Sequence, residues 1–201
     1  EEKRPGEYFP IEEDARGTYI MNSKDLCMLQ NLRDVITTGV DGLKIEGRMK
    51  SAHYVATVTR AYRIGLDAAL RGQELPRHAL DELGKVSHRP YTTGFYYNKP
   101  TGEDHVYDSS SYQGDASFVG LVLGHDADRG LLIEQRGNFK PGETLEIISP
   151  GSDSAAHIPV PAIFAADSGQ QLDAARHPQQ HVYVPCHRHF PPRSLVRTGR
   201  R

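Results

Sequence analysis

Apolar positions along the chain change their period repeatedly, and each change marks a change of element. Thr18-Tyr-Ile-Met21 reads as a short strand. Ser23 is placed to cap a helix, since its hydroxyl can accept from a free amide of the first turn. Leu26, Leu29, Leu32 or Arg33, and Ile36 then recur at helical spacing, and Gly39 supplies a left-handed stop. A second strand is predicted over 42–47, followed by a helix from about Ser51 to Leu70. Val55, Val58, Tyr62, Leu66 and Ala69 form its apolar stripe, and Gly72 ends it. Strand-helix-strand-helix with short connections is the pattern of parallel α/β architecture. Two such units cannot close a parallel sheet, so they are expected to be the last units of a larger barrel.

Residues 71–117 are rich in Pro, Gly and Tyr and read as extended connecting structure, with room for a strand pair. From Phe118 the pattern is all-β. Strands are predicted at 117–124, 130–136, 143–149, 157–165 and 181–185. Turn signals separate them at Asp126-Ala-Asp-Arg-Gly130, Lys140-Pro-Gly142, Pro150-Gly151 and Asp167-Ser-Gly169. Short strands at this spacing indicate a small antiparallel β-barrel. The fold class is therefore α/β plus all-β, divided as 1–75, a connecting segment 76–117, and a barrel domain 118–201.

Composition narrows the setting. The chain has 201 residues, 37% of them hydrophobic and 25% charged, with no Trp. No run of about 18 apolar residues is present, as a membrane span needs, and no signal-peptide pattern opens the chain. The two cysteines, Cys27 and Cys186, fall in different segments, so a reducing cytoplasm is the expected location. The chain opens Glu-Glu-Lys-Arg-Pro without an initiator Met and reads as a piece of something longer. Net charge is −2, but it is uneven: six acids fall in the first fourteen residues, and five arginines with no acid in the last twenty-one. That tail reads either as a solvated terminus or as a patch for nucleic-acid phosphates.

Lys44, Glu46 and Arg48 alternate with Leu43 and Ile45, which on a strand puts three charges on one face. Such a face is costly to bury and belongs at the rim of an α/β active site. Lys44 and Arg48 could hold an anionic substrate and Glu46 could move a proton; a structural ion-pair ladder is the alternative. Cys27 is expected in the first turns of a helix near Lys24, where thiolate chemistry or metal ligation is favoured. The alternative is a small core residue. Ile45-Glu46-Gly47-Arg48 also spells a protease-cleavage site, but its position between strand and helix argues against a cloning scar. Asp126-x-Asp128-x-Gly130 hints at a calcium loop, but its glycine comes one position early and its twelfth position is Gly137, so a hairpin turn is expected. Cys186-His187-Arg188-His189 has no second ligand pair at zinc spacing and reads as a strand end. Neither a phosphate-cradling Gly-rich loop nor a nucleophile elbow is present.

Long motifs run along most of the chain: Arg4-Pro-Gly-Glu-Tyr-Phe-Pro-Ile-Glu-Glu-Asp14, Thr18-Tyr-Ile-Met-Asn-Ser-Lys-Asp-Leu-Cys27, Gly39-Val-Asp-Gly-Leu-Lys-Ile-Glu-Gly-Arg-Met-Lys-Ser51, Tyr54-Val-Ala-Thr-Val58, Arg89-Pro-Tyr-Thr-Thr-Gly-Phe95 and Ile133-Glu-Gln-Arg-Gly-Asn-Phe-Lys-Pro-Gly-Glu143. On these residues the chain resembles the C-terminal part of the collagenase-like peptidase U32 family. The resemblance implies the end of a TIM-like barrel followed by the small β-barrel of the longer members. It also implies a [4Fe–4S] cluster in the full-length parent, with Cys27 as the last of four cysteine ligands and the other three outside this chain. Lys24, Lys44 and Arg48 would then bind substrate and Glu46 would act in catalysis. The partners implied are tRNA (at the wobble uridine) or ribosomal RNA, with a prephenate-derived metabolite. A peptide substrate is the alternative, because some members carry a collagenase label. The sequence offers no Ser-His-Asp grouping and no His-Glu-x-x-His helix for that reading. By itself the chain is expected to be inert, and 118–201 alone could serve as a non-catalytic docking module.

Overall fold

Ser51 starts the longest helix because its side-chain oxygen accepts from the Tyr54 amide at 3.1 Å, satisfying a donor that the helix cannot pair internally. The computed structural model of the chain describes residues 5–6, 11–15, 17–20, 22–101, 104–106 and 114–199. Arg200, Arg201, Met21 and several of the N-terminal acids lie outside these residues. The hairpin of β1 (Ile11–Asp14) and β2 (Gly17–Ile20) opens the described chain, and the short strands β3 (Asn22–Ser23) and β4 (Asp25–Leu26) follow, each pairing with a later segment. A 3-10 turn at Leu29–Asn31 leads into α1 (Leu32–Thr37). Two further helices follow, α2 (Ala52–Leu70) and α3 (Arg77–Gly84).

The end of α2 is set by Gly72. At φ 71° it takes the left-handed conformation, its amide donates to Ala69 O at 3.0 Å and the Gln73 amide to Ala68 O at 2.9 Å. Arg33 Nη2 then donates to the Gly72 and Gln73 carbonyls, at 2.9 and 2.7 Å, which ties that end to α1. The buried face of α2 is His53, Thr57, Val58, Ala61, Ile64, Gly65 and Ala68. It is rotated from the predicted stripe: Val55 is exposed, and Tyr62, Leu66 and Ala69 are only partly covered. Helix α2 packs against Leu29 and Leu32 and against Ala79 and Leu83, and His53 at its first turn stacks on Phe118, so a single stripe understates it.

Several N-terminal expectations are corrected. Ser23 lies in β3 and caps no helix, and the helix starts at Leu32 rather than near Leu26. Gly39 does stop it, at φ 80°. Residues 42–47 form no strand. An extended segment becomes a strand only when a neighbour takes up its backbone groups, and no described segment pairs with this one. The described N-terminal pairings are β1–β2 and β3 with β6 (His105–Val106), both antiparallel, and one two-residue parallel pair, β4 with β5 (Tyr91–Thr92). A parallel barrel is thus absent among the described residues.

The C-terminal half is one antiparallel sheet of eight strands: β7 (Ala116–Asp126), β8 (Gly130–Gln135), β9 (Thr144–Ile148), β10 (Ala156–Pro159), β11 (Ile163–Ala165), β12 (Gln171–Leu172), β13 (His181–Val184) and β14 (Leu195–Gly199). They lie in the order β10-β9-β14-β7-β8-β13-β11-β12. The sheet curls around one core that includes Val122, Ile133, Phe139, Leu145, Val182 and Val196. Its outer strands β10 and β12 do not pair, so it is an open half-barrel rather than a closed one. The predicted strand 157–165 splits in two around Pro161, which has no amide to give to a ladder.

The basic tail is also corrected. Residues 195–199 are strand β14, hydrogen-bonded between β9 and β7. Arg197 is 0% exposed. Its Nη2 donates to Glu82 Oε1 of α3 and its Nε to Glu146 Oε2 of β9, both at 2.7 Å. Lys85 Nζ donates to the same two carboxylates at 3.2 and 2.6 Å, and Arg60 Nη1 lies 3.0 Å from Glu82 Oε2. Burial alone would raise both carboxyls. The Arg197 hydrogen bonds and the surrounding cations outweigh it, holding Glu82 below its usual range and Glu146 at about 2. This charge cluster joins the helical half to the sheet.

Candidate functional site

Residues from the 25–62 stretch, with Tyr96 and Tyr97, line a cleft of about 730 Å³ whose wall combines Lys44, Glu46 and Lys50 with Asp25, Tyr54 and Tyr62. The segment before α2 supplies the charges and α2 itself supplies the tyrosines. Lys44 and Glu46 therefore do meet in one cavity, although not on a strand. Glu46 is exposed, and its Oε1 accepts from the Arg48 amide at 2.8 Å, which curls the chain toward the Ser51 cap. Arg48 and Lys24 do not line the cleft. Lys50, which the sequence reading did not single out, does. Its Nζ lies 3.8 Å from Asp25 Oδ2, donates to Ser87 O at 3.3 Å and stands 5.0 Å above the Tyr54 ring. On the far rim the Tyr97 hydroxyl donates to Asp34, fixing an exposed aromatic run at 95–97.

Cys27 follows β4 and precedes the 3-10 turn, so no helix N-terminus holds it. Its amide donates to Thr92 O at 2.9 Å, which extends the β4–β5 pair by one bond and fixes the residue's backbone. The sulfur is partly exposed and faces a separate hollow of about 240 Å³ beside Leu83, Tyr91 and Thr92. From the cleft side Tyr62 Oη donates to it at 3.7 Å, while accepting from the Met28 amide at 2.8 Å. Burial, and secondly the Cys27 sulfur, push the Tyr62 phenol well above its ordinary value, and Tyr91 is raised in the same way. Tyr62 counted in the sequence only as part of an apolar stripe; a hydroxyl at i+4 from Val58 on a half-buried helix face was the signal available.

Among the described residues no group of three or more His, Cys, Asp or Glu is arranged to hold a metal ion. The Asp126 turn is a hairpin: Asp126 Oδ1 accepts from the amides of Asp128 and Arg129, both at 3.0 Å, and Gly130 takes φ 94°. Cys186 follows the end of β13, with its carbonyl 2.7 Å from His125 Nε2. No described helix is long and apolar enough to cross a membrane.

The two halves match two adjacent family models: residues 1–106 match Peptidase family U32, and residues 115–197 match the Peptidase family U32 C-terminal domain. The chain belongs to peptidase family U32. Among its relatives, tRNA hydroxylation protein P1 of Bacillus subtilis is 37% identical over 193 residues, covering 94% of this chain and 45% of that protein. tRNA hydroxylation protein P of Escherichia coli is 36% identical over 151 residues, covering 75% of this chain and 33% of that protein. A protein named Collagenase from Porphyromonas gingivalis is 33% identical over 147 residues, covering 70% and 40%. This U32 chain thus spans less than half the length of these relatives. The crystal structure of a Geobacillus thermoleovorans U32-family C-terminal domain aligns with 42% of this chain and 92% of its own, at 34% identity and a TM-score of 0.37.

Proposed function

We propose that the chain is the C-terminal portion of an enzyme that hydroxylates RNA, with tRNA wobble uridine as the first substrate to test, by an oxygen-independent route that uses an iron-sulfur cluster. The observation that carries this reading is the 37% identity across 94% of the chain to a tRNA hydroxylation protein. The cleft supports it, because lysine ammonium groups beside tyrosine rings suit a nucleotide, with charge for its phosphate and an aromatic face for its base.

A [4Fe–4S] cluster takes four thiolates. Cys27 fits as one of them: it is a soft donor, partly exposed, with a hollow in front of it and a hydrogen bond behind. The other three would come from outside the described residues. When bound, such a cluster supplies one-electron chemistry. The chain's own residues divide the remaining work. Lys44 and Lys50 hold the phosphate, Lys24 and Arg48, which do not line the cleft, are further substrate-binding candidates, and Glu46 holds or gives up a proton at its carboxylate. A prephenate-derived metabolite is the proposed co-substrate. The exposed apolar rim of Leu26, Val40 and Leu43 supports a further proposal, that the rest of a TIM-like barrel seats there.

The test is full-length protein purified without oxygen, wild type beside Cys27→Ala, read by iron and sulfide content and by mass analysis of treated tRNA. Iron bound by wild type and lost in the variant, together with a hydroxylated wobble uridine, is the expected result. Iron-free protein in both forms would overturn the cluster assignment. Cleavage of collagen, with no change in tRNA, would favour the peptidase reading that the Porphyromonas gingivalis relative suggests.

A further inference from the structure

We propose that the aromatic turn at residues 93–97 is a stacking platform, on which Phe95 and Tyr96 take unpaired bases of an RNA strand that enters the neighbouring cleft. For its RNA this rests on the function proposed above; it adds the residues that hold nucleotides at the cleft mouth.

The turn leaves three consecutive rings in water: Phe95 is 83% exposed, Tyr96 58% and Tyr97 48%. Aromatic side chains ordinarily bury most of their surface, and an exposed cluster of them marks a binding surface. Hydrogen bonds hold the rings out. Strand β5 ends at Thr92, whose Oγ1 accepts from the Gly94 amide at 3.1 Å and donates to Asp104 Oδ1 at 2.5 Å. The Tyr96 amide donates to Thr93 O at 3.2 Å and closes the turn. Gly94 takes φ 55°, and a Cβ there would stand 3.2 Å from the side chain of Leu26, itself part of the cleft wall. Tyr97 is tied by its hydroxyl to Asp34. A platform fixed before binding loses little entropy when a base stacks on it.

Position and charge point to the occupant. Tyr96 and Tyr97 line the same cleft as Lys44 and Lys50. Of the acids there, Asp25 is matched by Lys50 at 3.8 Å and Arg89 at 4.0 Å, Asp34 accepts from Tyr97, and Glu46 accepts from the Arg48 amide. Lys44 has no ion-pair partner among the described residues. A spare ammonium beside flat rings is the pairing that single-stranded nucleic acid uses, phosphate to cation and base to ring face. Bases inside a duplex are already stacked on one another, so such a platform takes unpaired nucleotides.

Fluorescence anisotropy of the full-length protein with a labelled RNA stem-loop reads the platform directly. Wild type should bind the open loop more tightly than the same loop annealed to its complement. Phe95→Ala and Tyr96→Ala should each weaken loop binding about tenfold and leave duplex binding unchanged. Phe95→Leu keeps apolar bulk but removes the ring face, and should lose most of the same affinity. Phe95→Tyr should bind at the wild-type level. Melting temperatures should not change, since both rings stand in water. Wild-type loop binding in both alanine variants would overturn the inference. So would full binding by Phe95→Leu with a lowered melting temperature for Phe95→Ala, which would make the turn a seat for another part of the chain. Weaker binding of denatured collagen, with RNA binding intact, would overturn it in favour of a peptide. Loop binding that depends on the rings, with no hydroxylated uridine, would defeat the proposed function and leave the platform standing. Hydroxylation with loop binding indifferent to the rings would do the reverse.

Discussion

His53 of α2 lies flat against Phe118 of β7, with ring centroids 5.5 Å apart and planes 11° apart. The stack joins the helical half to the sheet beside the Arg197 cluster. Burial first, and the Arg197 charge second, lower the His53 pKa from 6.5 to about 4. The imidazole is therefore neutral in the folded protein at neutral pH. Between those two values the unfolded chain binds a proton that the folded chain refuses, so stability falls as the solution is acidified from pH 6.5 toward 4. The loss attributable to His53 is up to roughly 3 kcal/mol. Glu146, held at about 2, adds a further loss below the ordinary carboxylate range. Denaturant midpoints measured across this range should drop in wild type, and the upper part of the drop should vanish in His53→Phe.

Arg197→Met leaves Glu82 and Glu146 buried with fewer partners. Removing one member of a buried charge group costs about 3–5 kcal/mol. Urea unfolding should show that loss, and adding Glu82→Gln and Glu146→Gln should restore part of it. Equal stability of Arg197→Met and wild type would mean that the cluster does not join the two halves.

Gly130→Ala tests the turn between β7 and β8. Gly130 sits at φ 94°, and an added Cβ would lie 2.4 Å from Val184 O of β13. Strain and backbone clash together should cost more than about 2 kcal/mol. Gly142→Ala, with a similar φ of 89° but open space around it, should cost less, so the difference between the two melting temperatures isolates the clash.

Glu46→Gln should leave the fold alone, because Glu46 is exposed and its described bond is to the Arg48 amide. If Glu46 moves a proton in the proposed hydroxylation, turnover of tRNA should fall by about 100-fold. Turnover within twofold of wild type, in protein of unchanged iron content, would remove Glu46 from the chemistry.

The sheet was legible because its turns carry their own chemistry. Gly130, Gly142, Gly151 and Gly169 all take positive φ at the turns the sequence predicts. Helix α3 was missed: eight residues between Pro76 and Gly84 in a Pro- and Gly-rich stretch look like a loop, although Ala79, Leu83 and Val86 keep helical spacing. Strand β14 was missed for a different reason. Arg197 looks like part of a basic tail until its partners are known, and Glu82 stands 115 residues away. In the candidate site, Lys44 and Glu46 were found through their charge. The Tyr62–Cys27 contact was not found, since the two lie 35 residues apart and nothing local pairs them.

The position of Arg197 also sets an order of events during synthesis. Helix α3 can form as soon as it leaves the ribosome, but its Glu82 lacks the Arg197 cation until 115 more residues have been made. Strand β14, which carries that cation, lies between β9 and β7 in the middle of the sheet rather than at its rim. A nascent chain that stops short of it therefore holds two sheet pieces with a gap between them and a Glu82 that has Arg60 and Lys85 beside it but lacks its Arg197 hydrogen bond. Such a chain is marked as unfinished until residue 197 arrives to close both faults at once.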